Sequence, residues 1–250
     1  MCMITHRKLV GEHLFRKSSM ATRLSKMITV APTGKHSATL FFFHGSGGSG
    51  ADFKEWLDMV NRKELTFPNV KVVYPTAPAQ PYTPLEGMLS NVWFDRKRIS
   101  MRAPEIRESI DEICKEISKL IEEEMENGIP ENRIVVGGFS MGAGLAMHLA
   151  YRFKRSLAGC VVMSSFLNSN SVVYEELKGK DNKGAPPLLQ FHGPPDDVVA
   201  YQWGEATHRT LKELGVQGEF VQLPGVKHEI VETEVLRLKE WLTKVLPQPS

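Results

Sequence analysis

The stretch RIVVGGFSMGAGLAMHLA, residues 133–150, decides the fold class. It opens with a β-branched apolar run and continues, across glycines and a serine, into small and apolar residues that favour a helix. Between the two lies GFSMG at 138–142, a G-x-S-x-G pattern. At a strand-to-helix turn this pattern is typical of a nucleophile elbow, whose two glycines remove colliding Cβ atoms. The pattern predicts Ser140 as a nucleophile with the Met141 amide beside it; the alternative is a tight turn that merely contains a serine.

Outward from this stretch, apolar runs alternate with amphipathic segments. We predict strands over 37–43, 70–74, 133–137, 159–163, 187–191 and 218–223. We predict helices over 52–65, 106–127, 141–151, 199–214 and 231–245. Four prolines predict an irregular loop over 75–104. Continuous apolar strands that alternate with helices indicate a single α/β domain, with a mostly parallel sheet covered by helices on both faces.

A nucleophilic serine needs a base, and the base needs an orienting carboxylate. In this fold class the order is serine, acid, histidine, each on a loop after a strand. The apolar run LLQF is followed by His192, Asp196 and Asp197, and the run FVQL is followed by His228. Asp196 is the preferred acid, Asp197 is expected to begin the next helix, and His192 is expected to hydrogen-bond locally. The predicted set is therefore Ser140, Asp196 and His228.

A glycine-rich stretch, HGSGGSG at 44–50, has two interpretations. Gly45, Gly47 and Gly50 match the G-x-G-x-x-G fingerprint of a dinucleotide site. That site also needs an acidic residue after the next strand, where this chain has Tyr74-Pro75. An acyl-transfer enzyme instead needs a second amide donor on an early loop. We therefore expect the Ser46 amide to join the Met141 amide in an oxyanion hole.

Composition and charge narrow the function classes. The chain has 250 residues, of which 42% are hydrophobic, and a formal net charge of +2, which does not favour nucleic acid or an anionic membrane as a partner. No apolar run is long enough to span a bilayer. Three scattered cysteines suit a reducing compartment, so we expect a cytoplasmic protein. Residues 1–27 are basic and are expected to form a disordered extension, or alternatively a mitochondrial presequence, ahead of a domain at 28–247.

Several motifs together resemble the acyl-protein thioesterase and lysophospholipase family of α/β-hydrolases, and within it the lysophospholipase-like branch. The resemblance covers about residues 28–247. Its carriers are HGSGGSG at 44–50, YPTAP at 74–78, NVWFD at 91–95, GGFSMG at 137–142, HGPPDDVV at 192–199 and PGVKHE at 224–229. The resemblance implies Ser140, Asp196 and His228 as the catalytic set and the Ser46 and Met141 amides as the oxyanion donors. It implies an enzyme that works without a cofactor or metal. It also implies that Trp93 and Phe94 rim the acyl site.

The resemblance implies a function as well. Long-chain thioesterases of the family have leucine at the position of Ser46 and glutamine at that of Met141, so this chain departs from them beside the predicted oxyanion hole. The lysophospholipase-like branch implies a shallow site for short acyl groups. We expect a serine hydrolase of carboxylic esters and thioesters with a preference for short acyl chains, with S-acylated proteins as a substrate class. Alternatives are a catalytically weak acyl-binding homologue, a serine peptidase, and a nucleotide-dependent oxidoreductase that uses the glycine-rich loop.

Overall fold

Nine strands make up the sheets of the computed structural model, which describes residue 24 and residues 26–248. They are β1 (Met27–Val30), β2 (Ala38–Phe43), β3 (Val70–Pro75), β4 (Ala79–Pro81), β5 (Leu89–Asn91), β6 (Ile134–Phe139), β7 (Gly159–Met163), β8 (Leu188–His192) and β9 (Gly218–Gln222). Seven of them form the central sheet in the order β1-β3-β2-β6-β7-β8-β9. Only β1 pairs antiparallel there, while the six others run parallel. This confirms the predicted, mostly parallel sheet.

Six α-helices connect these strands within the described residues. They are α1 (Gly50–Val60), α2 (Arg107–Glu126), α3 (Met141–His148), α4 (Val172–Leu177), α5 (Tyr201–Glu213) and α6 (Glu232–Val245). Strand β2 shows how they cover the sheet: Phe41 and Phe43 enter a buried cluster with α2 and α3, whereas Leu40 and Phe42 enter another with α1 and α6. Side chains of a strand alternate between its faces, so the helices lie on both faces, as predicted.

The predicted boundaries differ from the structure in three places. Helix α1 begins at Gly50, because Ser49 caps it by accepting a hydrogen bond from the Asp52 N–H, and it ends at Val60 rather than at 65. Helix α3 gives way at 149 to a π-helical turn, Leu149–Phe153. The segment 75–104 is not wholly irregular, because β4 and β5 pair there as a short antiparallel hairpin. Its proline lies at a strand end, where a missing N–H costs little.

Two elements lacked a sequence signal. Strand β1 has only four residues, three of them exposed, so no apolar alternation marks it. Helix α4 has six residues and is too short for a periodic pattern. Leu24, inside the segment predicted as an extension, is buried in the core, and the rest of that segment before residue 26 lies outside the described residues. Within the described part of the chain, no helix has the length and hydrophobicity needed to cross a membrane.

Candidate active site

Ser140 occupies a strained turn between β6 and α3. Its backbone angles, φ of +53° and ψ of −119°, lie in a region that residues other than glycine rarely adopt, at a cost of about 1–3 kcal/mol. The Ser140 N–H donates to the Met163 carbonyl on β7, at 2.9 Å. A Cβ on Gly142 would lie 2.3 Å from the Phe43 carbonyl oxygen, and one on Gly138 would lie 2.6 Å from the same atom. Only glycines fit on both sides of the serine, as the pattern predicted.

The acid and the histidine come from loops after β8 and β9. His228 Nδ1 lies 2.9 Å from Asp196 Oδ2. The Asp196 side chain is fully buried, and that of His228 is 14% exposed. The other carboxylate oxygen, Oδ1, accepts the backbone N–H groups of Val198 (3.0 Å) and Val199 (2.8 Å). Asp196 is thus held in one orientation and accepts hydrogen bonds on both oxygens.

Asp197, the neighbouring carboxylate, has a different environment. The prediction that it begins the next helix is wrong, because α5 begins at Tyr201 and has no acidic residue in its first turn. Its side chain is 65% exposed, and its Oδ2 lies 3.7 Å from Lys227 Nζ. An exposed pair of this kind contributes little to stability. Of the two candidate acids, the structure brings only Asp196 to His228.

Close backbone contact brings the two loops together. A Cβ on Gly193, in the acid loop, would lie 1.8 Å from the Val226 carbonyl oxygen, two residues before the histidine. The His228 ring lies against Phe139, with the ring centroids 4.6 Å apart. Because Phe139 directly precedes Ser140, this contact holds the imidazole near the Ser140 turn.

The prediction that His192 hydrogen-bonds locally is confirmed, and the structure adds a contact with Asp196 that the sequence did not reveal. Its Nε2 lies 2.9 Å from the Val199 carbonyl oxygen, so it carries a hydrogen and donates there. The same Nε2 lies 3.4 Å from Asp196 Oδ2. The ring is fully buried, and this burial lowers its pKa and favours the neutral form. His192 therefore supports the carboxylate that contacts His228.

The glycine-rich loop is held by His44 and Trp93. The Ala77 N–H donates to His44 Nε2 at 3.0 Å, so the ring hydrogen is on Nδ1, which donates to the Gly45 carbonyl at 2.6 Å. Burial lowers the pKa of His44, consistent with this neutral tautomer. The Trp93 indole N–H donates to the His44 carbonyl at 2.7 Å. The Gly47 N–H donates to the Asn91 carbonyl at 2.9 Å, which ties the loop to β5.

The side chains of Ser46 and Met141 are in contact, and the role of their amides in an oxyanion hole stays a prediction. Ser46 Oγ lies 3.6 Å from Met141 Sδ, so the glycine loop touches the start of α3. Met141 is the first residue of α3, where a helix has no internal acceptor for the N–H. Ser46 itself is exposed.

Trp93 and Phe94 are both buried, at 1% and 6% exposure. The Trp93 ring packs on Phe43 and His44, with centroid distances of 5.2 and 4.8 Å. Phe94 reaches the nucleophile helix: a Cβ on Gly144 would lie 3.7 Å from its Cζ. The predicted role of both aromatic side chains at the rim of an acyl site stays a prediction.

Comparison with known proteins identifies the family to which the chain belongs. A family model for phospholipases and carboxylesterases matches residues 24–246. The chain is 51% identical to mouse lysophospholipase-like protein 1 over 218 residues, covering 87% of this chain and 91% of the mouse protein. It is 34% identical to Dictyostelium discoideum acyl-protein thioesterase 1 homolog 1 over 215 residues, covering 85% and 92% of the two chains.

A solved structure extends the likeness to the fold. The crystal structure of maize (Zea mays) acyl-protein thioesterase 2 superposes with a TM-score of 0.77 at 28% identity, covering 88% of this chain and 99% of the maize chain. Sequence and structure therefore confirm the resemblance that the motifs predicted. The chain belongs to the phospholipase/carboxylesterase family of α/β-hydrolases and is homologous to the acyl-protein thioesterases.

Proposed function

We propose that this protein is a serine hydrolase that cleaves carboxylic esters and thioesters of short acyl groups through an acyl-enzyme at Ser140. The observation that carries the proposal is the 2.9 Å contact between His228 Nδ1 and the buried Asp196 carboxylate, beside the strained Ser140 turn. The homologous acyl-protein thioesterases support thioesters of acylated proteins as one substrate class.

The proton transfers follow from the tautomer of His228. Hydrogen bonding to Asp196 keeps a hydrogen on Nδ1, which leaves Nε2 to accept the proton of the Ser140 hydroxyl as that oxygen attacks the acyl carbon. Asp196 stabilises the imidazolium that forms. His228 then returns the proton to the leaving alcohol or thiol, and the same steps with water release the acid.

Two backbone amides stabilise the negative charge on the carbonyl oxygen during attack. The Met141 N–H lies at the N-terminus of α3, where the helix dipole also favours negative charge. The Ser46 N–H belongs to the loop that His44, Trp93 and Asn91 hold in place. Donors held in position before the reaction cost no reorganisation as the charge develops.

The preference for short acyl groups is supported by polarity beside this loop. Ser46 presents a hydroxyl against Met141, where a long apolar channel would need hydrocarbon lining. In such a channel each buried methylene would contribute about 0.8 kcal/mol, so kcat/KM would rise steeply with acyl length.

A series of matched esters and thioesters, from acetyl to palmitoyl and below each critical micelle concentration, tests the proposal. We expect kcat/KM to peak at short acyl groups and to level or fall before lauroyl. A steady rise to palmitoyl would contradict the short-chain preference and support a long-chain thioesterase. Absence of turnover on every substrate would support the acyl-binding alternative.

A further inference from the structure

Arg96 is a partly buried cation without a counter-ion in the described part of the chain. Its guanidinium carbon lies 5.1 Å from the centroid of the Phe94 ring and 5.8 Å from that of Phe166. Its Nε is buried and has no hydrogen-bond partner among the described residues. No described carboxylate lies within ion-pairing distance of this guanidinium, although buried charges are normally paired.

The nearest acidic side chains are engaged elsewhere. The Asp95 carboxylate accepts hydrogen bonds from the Thr83 N–H and hydroxyl, at 2.9 and 2.6 Å. Glu105 faces Arg96 across an isolated β-bridge, and its Oε2 accepts the Val172 N–H at 3.1 Å. Its Oε1 is buried without a hydrogen bond among the described residues and lies 3.4 Å from His148 Nε2, outside ion-pairing distance of Arg96. The positive charge of Arg96 therefore remains available to a ligand.

Phe94 and Phe166, whose rings flank Arg96, both lie near α3. A Cβ on Gly144 would lie 3.7 Å from Phe94 Cζ and 4.0 Å from the Phe166 carbonyl oxygen. The Gly144 N–H donates to the Ser140 carbonyl at 3.2 Å, so Gly144 is one helical turn beyond the elbow. Phe94 and Phe166 thus link Arg96 to α3, the helix that follows Ser140.

The surroundings disfavour an unpaired charge. Burial lowers the pKa of Arg96 from its ordinary value, and the acidic groups nearby only partly oppose that effect. Arginine nevertheless stays protonated in proteins. Contact with two aromatic faces offsets part of the lost hydration, but it leaves the buried Nε–H without an acceptor among the described residues.

We propose that Arg96 binds an anionic group of the substrate, a carboxylate or phosphate, while the ester or thioester is at Ser140. This inference rests on the proposed hydrolase function. A guanidinium presents parallel N–H donors that match either oxyanion in a bidentate pair. The anion belongs either to the acyl group, as the terminal carboxylate of a dicarboxylic half-ester, or to the leaving group, as a phosphate. An anion there supplies the acceptors that the fold does not.

Substrate pairs that differ in one charge test this proposal. In the acyl arm, succinyl and glutaryl esters are compared with butyryl and pentanoyl esters of the same alcohol. In the leaving-group arm, butyryl glycerol 3-phosphate is compared with monobutyryl glycerol. The quantity measured is the ratio of kcat/KM for the anionic substrate to that for the neutral one. Wild type is compared with Arg96→Met, which keeps the contact with the rings, with Arg96→Lys, and with Arg98→Met as an exposed control.

We expect the ratio to fall roughly tenfold in Arg96→Met in one arm, which identifies the source of the anion, and to stay unchanged in Arg98→Met. Arg96→Lys should be intermediate, because it keeps the charge but loses the paired donors. A ratio unaffected by Arg96→Met in both arms would overturn the role of Arg96 and leave the proposed hydrolysis intact. Failure of wild type to cleave any of these esters would overturn the proposed function itself.

Wild-type protein provides a second readout that does not depend on the folding of a variant. Glutarate and phosphate should inhibit cleavage of the neutral butyryl ester more strongly than uncharged glutaramide does, and added salt should weaken that inhibition. Equal inhibition by glutaramide and the two anions would also overturn the proposal.

Discussion

His228 Nδ1 lies 2.9 Å from Asp196 Oδ2, while the adjacent carboxylate of Asp197 is exposed and faces Lys227. Two acids that are neighbours in sequence therefore have separate environments. One is fully buried and accepts hydrogen bonds on both oxygens, and the other is largely in water.

Asp196→Asn should lower kcat by about 10³–10⁴-fold, because an amide does not hold His228 in the tautomer that accepts the serine proton. Asp197→Asn is the matched control and should change kcat by less than about threefold, because its ion pair with Lys227 is exposed. Steady-state hydrolysis of a short ester measures both. Equal losses, or a larger loss in Asp197→Asn, would contradict the assignment of the acid.

Gly204→Ala should lower activity through His192. A Cβ at Gly204, in α5, would lie 2.2 Å from His192 Nδ1, so the ring cannot keep its present position against α5, and we expect its contact with Asp196 to change. Alanine normally stabilises a helix relative to glycine, so helix propensity does not explain a loss of activity in this variant. Such a loss would point to the contact with the His192 ring. We expect kcat to fall about tenfold or more, as displacements near 1 Å in an active site can cost about 10²-fold. Gly184→Ala, where a Cβ meets nothing within 4 Å, is the control, and wild-type activity in Gly204→Ala would refute a role for His192.

Glu234 should make stability depend on pH. Burial raises its pKa to about 8 from an ordinary value of 4.5, so the folded protein keeps this proton where the unfolded chain has lost it. The free energy of unfolding should therefore fall as pH rises from about 4.5 to about 8. Glu234→Gln removes that dependence, so the stability of the variant relative to wild type should rise with pH, by an amount on the order of a few kcal/mol. Urea unfolding of wild type and Glu234→Gln from pH 5 to 9 measures this difference. If the free energies of unfolding of the two proteins change with pH in the same way, the effect of burial on Glu234 is contradicted.

Leu24 should contribute to the core, although it lies in the segment predicted as an extension. Its side chain is 1% exposed, so Leu24→Ala should lower the free energy of unfolding by about 2–4 kcal/mol. A chain shortened to begin at Met20 keeps this residue and should retain wild-type specific activity. Urea unfolding and ester hydrolysis measure the two effects. Loss of turnover in the shortened chain would show that the first 19 residues are needed, and mitochondrial import of the full chain alone would support a presequence.

Much of the architecture could be predicted because its signals are local. The strands β2, β3, β6, β7 and β8 are mostly apolar runs, whereas β9 contains only a short apolar pair. The candidate nucleophile, acid and histidine follow β6, β8 and β9. Parallel strands bring such positions to one edge of the sheet, which is why order along the chain was enough to predict Ser140, Asp196 and His228.

Other features depend on contacts between distant segments. Strand β1 lies at the edge of the sheet and forms by pairing with β3. The prolines in the segment 75–104 predicted an irregular loop, so the sequence did not indicate the β4–β5 hairpin. The support that His192 gives to Asp196 depends on the space that Gly204 leaves on another element. That Arg96 lacks a counter-ion among the described residues is visible only from the contacts of Asp95 and Glu105, whose carboxylates hydrogen-bond to Thr83 and to the Val172 N–H rather than to the guanidinium.

The most direct test of the central claim is covalent labelling of Ser140 by a fluorophosphonate, followed by peptide mapping. Wild type should be labelled at Ser140 alone and lose ester hydrolysis in step with labelling, because Ser140 lies in a strained turn directly after Phe139, whose ring packs on His228. Ser140→Ala should abolish labelling and turnover, with a thermal midpoint near that of wild type. Labelling at another serine, or hydrolysis that persists in Ser140→Ala, would contradict the account.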